Sequence, residues 1–427
     1  MGNSIVISTY GSLGDLYPYM AIAVELKRRG HNVAIATSEV YRASVAAENL
    51  EFYPIKPNLL EIATKEAQEA IAQAMDAKRG TEYVLRELVL PYLQDSYNDL
   101  IQVVSGADLL ITHPISFAGV LVAQKTGIRW ISTVLSPNSF LSAYDPSVLS
   151  SPLGEVSLRG FVPEINKVLL NIAKFSICSW GEPIQQFRKQ LDLPPVSDPF
   201  FQDQHSPDLV LALFSPIFAQ PQIDWYKHTY VTGFPFYDRQ GAELSPELVE
   251  FLNRGEPPIV FTLGSSAVND AGNFYRESAI AAKQLGCRAV LLIGEDKRNQ
   301  LPKNLLSQDI AAFSYAPYSK IFPHAAAIVH QGGIGTTAEA LRSGRPMLFM
   351  PYSHDQPDNA ARAQRLGVAR IIKRSNYQAN SAATELNQLL NEPKYAQKAA
   401  VIGQQIHAEN GVKTACDRIE AYLSSSK

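Results

Sequence analysis

Residues 330–346 read HQGGIGTTAEALRSGRP: a histidine, a run of glycines, two threonines and then a helix-forming stretch. The apolar run AAAIVH at 325–330 predicts a buried strand, and TAEALRSG at 337–344 predicts a helix stopped by Gly344. A strand, a glycine-rich turn and a helix start make an anion site. The first N–H groups of the helix are free, its dipole favours negative charge, and glycine lets the backbone approach closely.

The same rhythm extends outward. Before and after this stretch, IVFTLGS (259–265), CRAVLLIG (287–294), IAAFSY (310–315), PMLFMP (346–351) and ARIIK (369–373) alternate with helical segments. The first half repeats the pattern with SIVIST (4–9), HNVAIAT (31–37), LLITHP (109–114) and IRWISTV (128–134). A helix is expected over 18–30, with proline near its start and Gly30 at its end. Alternating strands and helices predict parallel sheets with right-handed crossovers. Polar, proline- and glycine-rich residues around 233–258 interrupt the alternation and predict a linker. The expected organisation is an N-terminal domain over 1–235, a linker over 236–257, a C-terminal domain over 258–405, and a terminal helix over 406–427 that packs back on the first domain. Between 136 and 200 the alternation loosens around EINKVLLNIAKFSICSW, which reads equally as a packed helical insertion or as an apolar acceptor pocket.

The 427 residues carry a formal net charge of −3, which gives no electrostatic case for a nucleic-acid partner. Cys178, Cys287 and Cys416 lie too far apart for a metal knuckle or a disulfide framework, so a reducing, cytoplasmic setting is expected. No secretory signal and no membrane span is expected, and HExxH is absent.

Three strand-to-helix turns stand out: TYGSLGDLYP (9–18), TLGSSAVND (262–270) and the stretch at 330. The last two lie in one domain and predict a diphosphate held between them. Neither is a GxxxxGK[ST] loop, and the first turn lacks GxGxxG. His330, at a strand end, reads as a donor to a phosphate oxygen; the alternative is a satisfied core histidine. Asp355 and Gln356 are an adjacent acid and amide suited to vicinal hydroxyls. The alternative for that pair is turn chemistry, with Asp358 capping the next helix.

The whole stretch 330–368, HQGGIGTTAEALRSGRPMLFMPYSHDQPDNAARAQRLGV, resembles the nucleotide-sugar signature of family 1 glycosyltransferases, and GSLGDLYP (11–18) resembles the GSxGDxxP of their bacterial branch. That branch includes sterol glucosyltransferases, glycopeptide-antibiotic glycosyltransferases and rhamnosyltransferases. The resemblance implies a GT-B fold, two Rossmann-like domains whose parallel sheets face each other across a cleft. It implies that the nucleotide diphosphate contacts Gly14, Gly264, Ser265, Ser266, His330, Gly332, Gly333, Gly335 and Thr336. Tyr315 and Ala316 would meet the base and Glu339 the ribose; Asp355 and Gln356 would hold the sugar. YAPY (315–318) replaces the usual WxPQ element, which leaves uridine against thymidine open.

The resemblance also implies an inverting transfer with Asp15 as base and His113 as its partner, the two residue types exchanged relative to many members. Burial is expected to raise the Asp15 pKa. The alternatives are a helix cap for Asp15 and an ordinary strand end for His113. The implied donor is a UDP- or TDP-hexose, glucose first and TDP-rhamnose second, without metal or other cofactor. The implied acceptor is an apolar small molecule or lipid, which leaves peripheral membrane contact open. A nucleotide-sugar 2-epimerase and a non-catalytic nucleotide-sugar-binding auxiliary protein are the competing readings.

Overall fold

Short runs of aliphatic and β-branched residues make the strands; the central ones are buried on both faces, while the edge strands Glu51–Pro54 and Thr229–Val231 are largely exposed or half-buried. A computed structural model describes residues 2–58, 64–151, 154–239 and 241–425, so Gln240 of the expected linker lies outside the described residues. In the first half the strands are β1 (Ser4–Ser8), β2 (Asn32–Thr37), β3 (Glu51–Pro54), β4 (Leu109–Thr112) and β5 (Arg129–Val134). After a small antiparallel hairpin, β6 (Val148–Ser151) and β7 (Gly154–Ser157), come β8 (Val210–Ala212) and β9 (Thr229–Val231). The second half holds β10 (Ile259–Thr262), β11 (Ala289–Leu292), β12 (Ile310–Phe313), β13 (Ala327–His330), β14 (Met347–Phe349) and β15 (Ala369–Ile371).

Two fully parallel sheets result, ordered β3-β2-β1-β4-β5-β8-β9 and β12-β11-β10-β13-β14-β15. Alternate residues of one strand feed opposite layers: Ile5 and Ile7 pack on one face of the first sheet and Val6 on the other. In the second sheet Ile259 and Phe261 face one layer and Val260 the other. In both sheets the strand order reverses beside the first strand, between β1 and β4 and between β10 and β13. A crevice opens at such a point, beyond the carboxyl ends of the strands. The loops after β1, β4, β10 and β13 therefore share one neighbourhood.

The first helix spans Leu13–Arg28, five residues earlier than proline placement predicts, because Ser12 supplies its N-cap and Pro18 lies inside it. The last helix, Gly411–Ser424, inserts Ala415, Cys416 and Ile419 into the layer formed by Leu16, Ile22 and Leu26, and Arg29 binds Asp417 and Glu420 at 2.8 and 2.6 Å. Among the described residues no helix is long and apolar enough to cross a membrane.

The two halves are tied together. Phe214, Trp225 and Phe234 of the first share a core layer with Ile328, Ala338 and Phe349 of the second. On the opposite side Arg362 is sealed between Asp358, at 2.7 Å, and Asp145, which also receives Arg159. Asp358 accepts the Val148 N–H at 3.0 Å as well. Asp358 is thus not the cap of the Gln356–Arg365 helix, whose N-cap position is Asp355; burial gave Asp358 a different partner.

Removing one partner of such a buried cluster strands the other charges. Arg362→Ala should lower unfolding stability by about 3–5 kcal/mol. Denaturant unfolding measures it, and a loss below about 1 kcal/mol would show that the cluster does not hold the halves together.

Candidate active site

Each of the two crevices contributes backbone rather than side chain to the space between them. Gly14 starts the first helix and faces Gly335 of the Ile334–Ser343 helix, so close that a β-carbon on Gly335 would lie 3.7 Å from the Gly14 Cα. Gly264 adopts φ +67°, and a β-carbon there would come within 2.4 Å of Gln331 Nε2. Three helical starts, at Leu13, Gly264 and Ile334, thus border one cavity.

That cavity measures about 840 Å³. Gly14, Gly264, Ser265, Gly335, Thr336 and Glu339 line it, with Tyr315 and Ala316 at one end. Tyr315 is 64% exposed and presents a free aromatic face. Ser266, Gly332 and Gly333 do not line it. His330 lies beneath the loop, fully buried against Phe349. Its Nδ1 accepts the Gly332 N–H at 3.1 Å, so the ring proton sits on Nε2, which has no partner among the described residues. Burial pushes its pKa down to about 3. The histidine offers a neutral N–H, and Gln331 beside it buries an unpartnered Oε1. The glycine pattern gave no signal for Gln331.

Beside the cavity lies a polar cluster. Asp15 and His113 come from different strand ends of one sheet, and His113 Nε2 stands 3.3 Å from Asp15 Oδ1. His113 Nδ1 accepts the Ile115 N–H at 3.2 Å, which leaves the neutral ring's proton on Nε2, aimed at the carboxylate. Asp15 also closes a capping box: its Oδ2 accepts the Ser12 N–H at 2.7 Å. The capping and paired roles use different oxygens and coexist. The Asp15 side chain is 34% exposed. Burial opposes its ionisation, but hydrogen bonds from His113 and Ser12 outweigh burial and hold the carboxyl below its ordinary range. The raised value expected from burial alone is therefore corrected.

Asp355 faces this pair. Burial, then the nearby Asp15 charge, push its pKa up to about 7 against a hydrogen bond from Asn359 at 2.7 Å. Gln356 is buried, and its Oε1 accepts the Tyr352 N–H at 2.9 Å, which leaves only its amide N–H groups for a ligand. Neither Asp355 nor Gln356 lines the large cavity. Glu339 pairs with Arg342 at 2.7 Å, and Arg342 reaches on to Asp238 of the linker at 2.7 Å. Burial nevertheless raises Glu339 to about 7.

The 136–200 segment fits neither sequence reading fully. Its helix, Pro163–Ile177, buries only Asn166 and Leu170. Ile165, Val168, Ile172 and Phe175 form an outward stripe, Phe175 being 78% exposed.

Residues 5–95 match the family model described as glycosyltransferase family 28 N-terminal domain, and residues 281–420 that of erythromycin biosynthesis protein CIII-like, C-terminal domain. The chain is 31% identical to O-mycaminosyltylonolide 6-deoxyallosyltransferase of Streptomyces fradiae, over 99% of its own length and 98% of that relative's. It is 28% identical to the sterol 3-beta-glucosyltransferase of Leptosphaeria maculans over 99% of this chain, but spans only 29% of that relative. Its fold is that of the glycotransferase of kitacinnamycin, with a TM-score of 0.71 at 20% identity over 99% and 100% of the two chains. It is likewise that of spinosyn rhamnosyltransferase SpnG complexed with thymidine diphosphate, with a TM-score of 0.67 at 15% identity over 98% and 100%.

The raised Glu339 pKa has a sign that can be checked. The fold favours the protonated acid, so this contribution is full below the ordinary value of 4.5 and is lost as pH rises through about 7. Glu339→Gln cannot titrate. Its stability relative to the parent should grow by about 2–3 kcal/mol between pH 4.5 and 8, read by denaturant unfolding at both pH values. A pH-independent difference would place Glu339 in an unperturbed environment.

Proposed function

From the premise that this chain belongs to the GT-B glycosyltransferases of family 1 type, we propose that it moves a hexose from a nucleoside diphosphate to a hydroxyl of an apolar acceptor with inversion. One observation carries the reading: Asp15, paired with His113, directly follows Gly14, which lines one cavity together with the helix starts at Gly264 and Ile334. In this proposal Asp15 takes the acceptor's proton as the oxygen attacks the anomeric carbon. An ionised carboxylate is a weak base toward an alcohol, so proton transfer accompanies bond formation rather than preceding it. His113 holds the carboxylate in place. The loop amides and the His330 Nε2–H stabilise the leaving diphosphate, a role that calls for no metal. Tyr315 stacks on the base, Glu339 meets the ribose, and Asp355 with Gln356 meets the sugar.

The name of the sterol relatives supports glucose, carried as UDP-glucose. The full-length likeness to a 6-deoxyallosyltransferase, with the thymidine diphosphate held by SpnG, supports a TDP-deoxyhexose such as TDP-rhamnose as the second reading. The outward apolar stripe supports an apolar or lipid acceptor met at a surface. Three free cysteines support a reducing compartment, the cytoplasm. Incubating the protein with UDP- and TDP-hexoses, with and without an alcohol acceptor, tests the reaction class. Nucleotide release that ignores the acceptor would exclude transfer.

Asp15→Asn keeps the shape and the capping acceptor but removes the base. Transfer should fall by roughly two to four orders of magnitude while donor affinity and Tm stay close to the parent's. His113→Ala should cost less, and the double variant less than the two losses combined. Normal turnover by Asp15→Asn would return Asp15 to a purely capping role.

A further inference from the structure

Asn359 is fully buried, and its three side-chain hydrogen bonds lead to different parts of the site. Its Nδ2 donates to the Gly332 carbonyl at 2.9 Å and to Asp355 Oδ2 at 2.7 Å. Its Oδ1 accepts from Ser136 Oγ at 3.0 Å, across the cleft. Two acceptors on one side and a hydroxyl on the other fix which way the amide points. Gly332 in turn donates its N–H to His330 Nδ1 at 3.1 Å. A single amide thus joins the glycine loop after β13, the carboxylate of Asp355 and the end of β5 in the other half. It does not line the large cavity, so its effect on a ligand there is exerted through these partners.

We propose that Asn359 is the positioning residue for sugar recognition: it holds the Asp355 carboxylate in register with the glycine loop, so that diphosphate and sugar are gripped at a fixed separation. The proposal rests on the reading of Asp355 as the sugar-binding acid. A carboxylate able to accept from two hydroxyls must be ionised and held still, and a buried N–H donor does both. Without it, a backbone hydrogen bond at its own position is the remaining support for the Asp355 charge, and the neighbouring side chains oppose or ignore it. Asp15, itself held by His113, lies opposite; Asp358, neutralised by Arg362, and His354, bound to Thr81, flank it on its own element. Burial already brings Asp355 up to about 7, so the Asn359 donor acts where small changes alter its charge at neutral pH.

The test compares affinity for a nucleotide sugar with affinity for the matching bare nucleoside diphosphate, both titrated calorimetrically on the same protein from pH 5.5 to 9. The probe pair is UDP-glucose with UDP, or TDP-glucose with TDP, whichever the parent binds. In the parent the ratio should rise with pH through a midpoint near neutrality, as Asp355 ionises. Asn359→Ala and the similarly sized Asn359→Leu, neither of which can donate to Asp355, should lower the ratio at pH 7 by about tenfold and move the midpoint to higher pH. Because both ligands are measured on one folded variant, a general loss of stability leaves the ratio unchanged. Asp355→Asn should flatten the pH dependence, and adding Asn359→Ala to it should change the ratio no further. If Asp355→Asn flattens the profile while Asn359→Ala leaves ratio and midpoint at parental values, the positioning role is overturned and the sugar reading survives. If Asp355→Asn leaves the ratio untouched, the sugar reading itself falls.

Discussion

The site depends on glycine turns that bring backbone close to the space between the two sheets. Gly14 and Gly335 face each other across the halves, where an added β-carbon on Gly335 would just reach Gly14, and Gly264 leaves no room for one beside the amide of Gln331. Gly332, at φ +99°, leaves no room for a β-carbon, which would fall 3.0 Å from Phe349 and 3.1 Å from the Gln356 carbonyl. A larger residue at Gly264 or Gly332 would be strained, displaced or both, whereas one at Gly14 or Gly335 would make only ordinary contact. Everything else follows from the contact. Two parallel sheets can share one ligand only if their carboxyl edges come within its length, and the left-handed glycines at 264 and 332 shape the turns of the second sheet for that.

Closure then has to be held without filling the cleft. The chain does this at its margins. An apolar layer joins Phe214, Trp225 and Phe234 to the second half on one side. On the other, Arg362 is buried between two aspartates. A buried ion cluster loses much of its attraction to desolvation, so its value lies in geometry. It accepts one arrangement of the two halves and penalises others. Arg342 adds a third tie, between the linker at Asp238 and the cavity wall at Glu339, and it stacks over Phe236.

Much of this was legible in the residues. The strand–helix rhythm gave both sheets, because buried parallel strands are short apolar runs, and the glycine turns marked the two points where strand order reverses. The spacing from Asp15 to His113 announced nothing by itself; the resemblance supplied it, and parallel topology brings the two together. What could not be read was any property set by long-range partners. Pro18 drew the expected helix start away from Ser12, since the proline rule sees one turn and not the cap before it. Asp358 looked like a cap until Arg362 and Val148 claimed it. Asn359 gave only its position, one turn after Asp355, a spacing that allows contact without requiring it.

The ionisation of the site follows from the same long-range partners. Three carboxyl groups cluster near the glycine loops, and a dianionic ligand could not settle beside three full negative charges. The chain divides them. Asp15 stays ionised, because Ser12 and His113 donate to it and offset its burial. Asp355 and Glu339 are pushed to about 7 by burial, so each is near half protonation at neutral pH. Part of the repulsion is thereby removed, while each acid still accepts or donates a hydrogen bond. Burial alone would have neutralised Asp15 too, and hydrogen bonding alone would have ionised all three. The separation between them comes from where each donor stands: two aimed at Asp15, one at Asp355, and an arginine shared with Asp238 at Glu339. The placement of donors, set by the fold and invisible in the composition, decides which carboxylate keeps its charge.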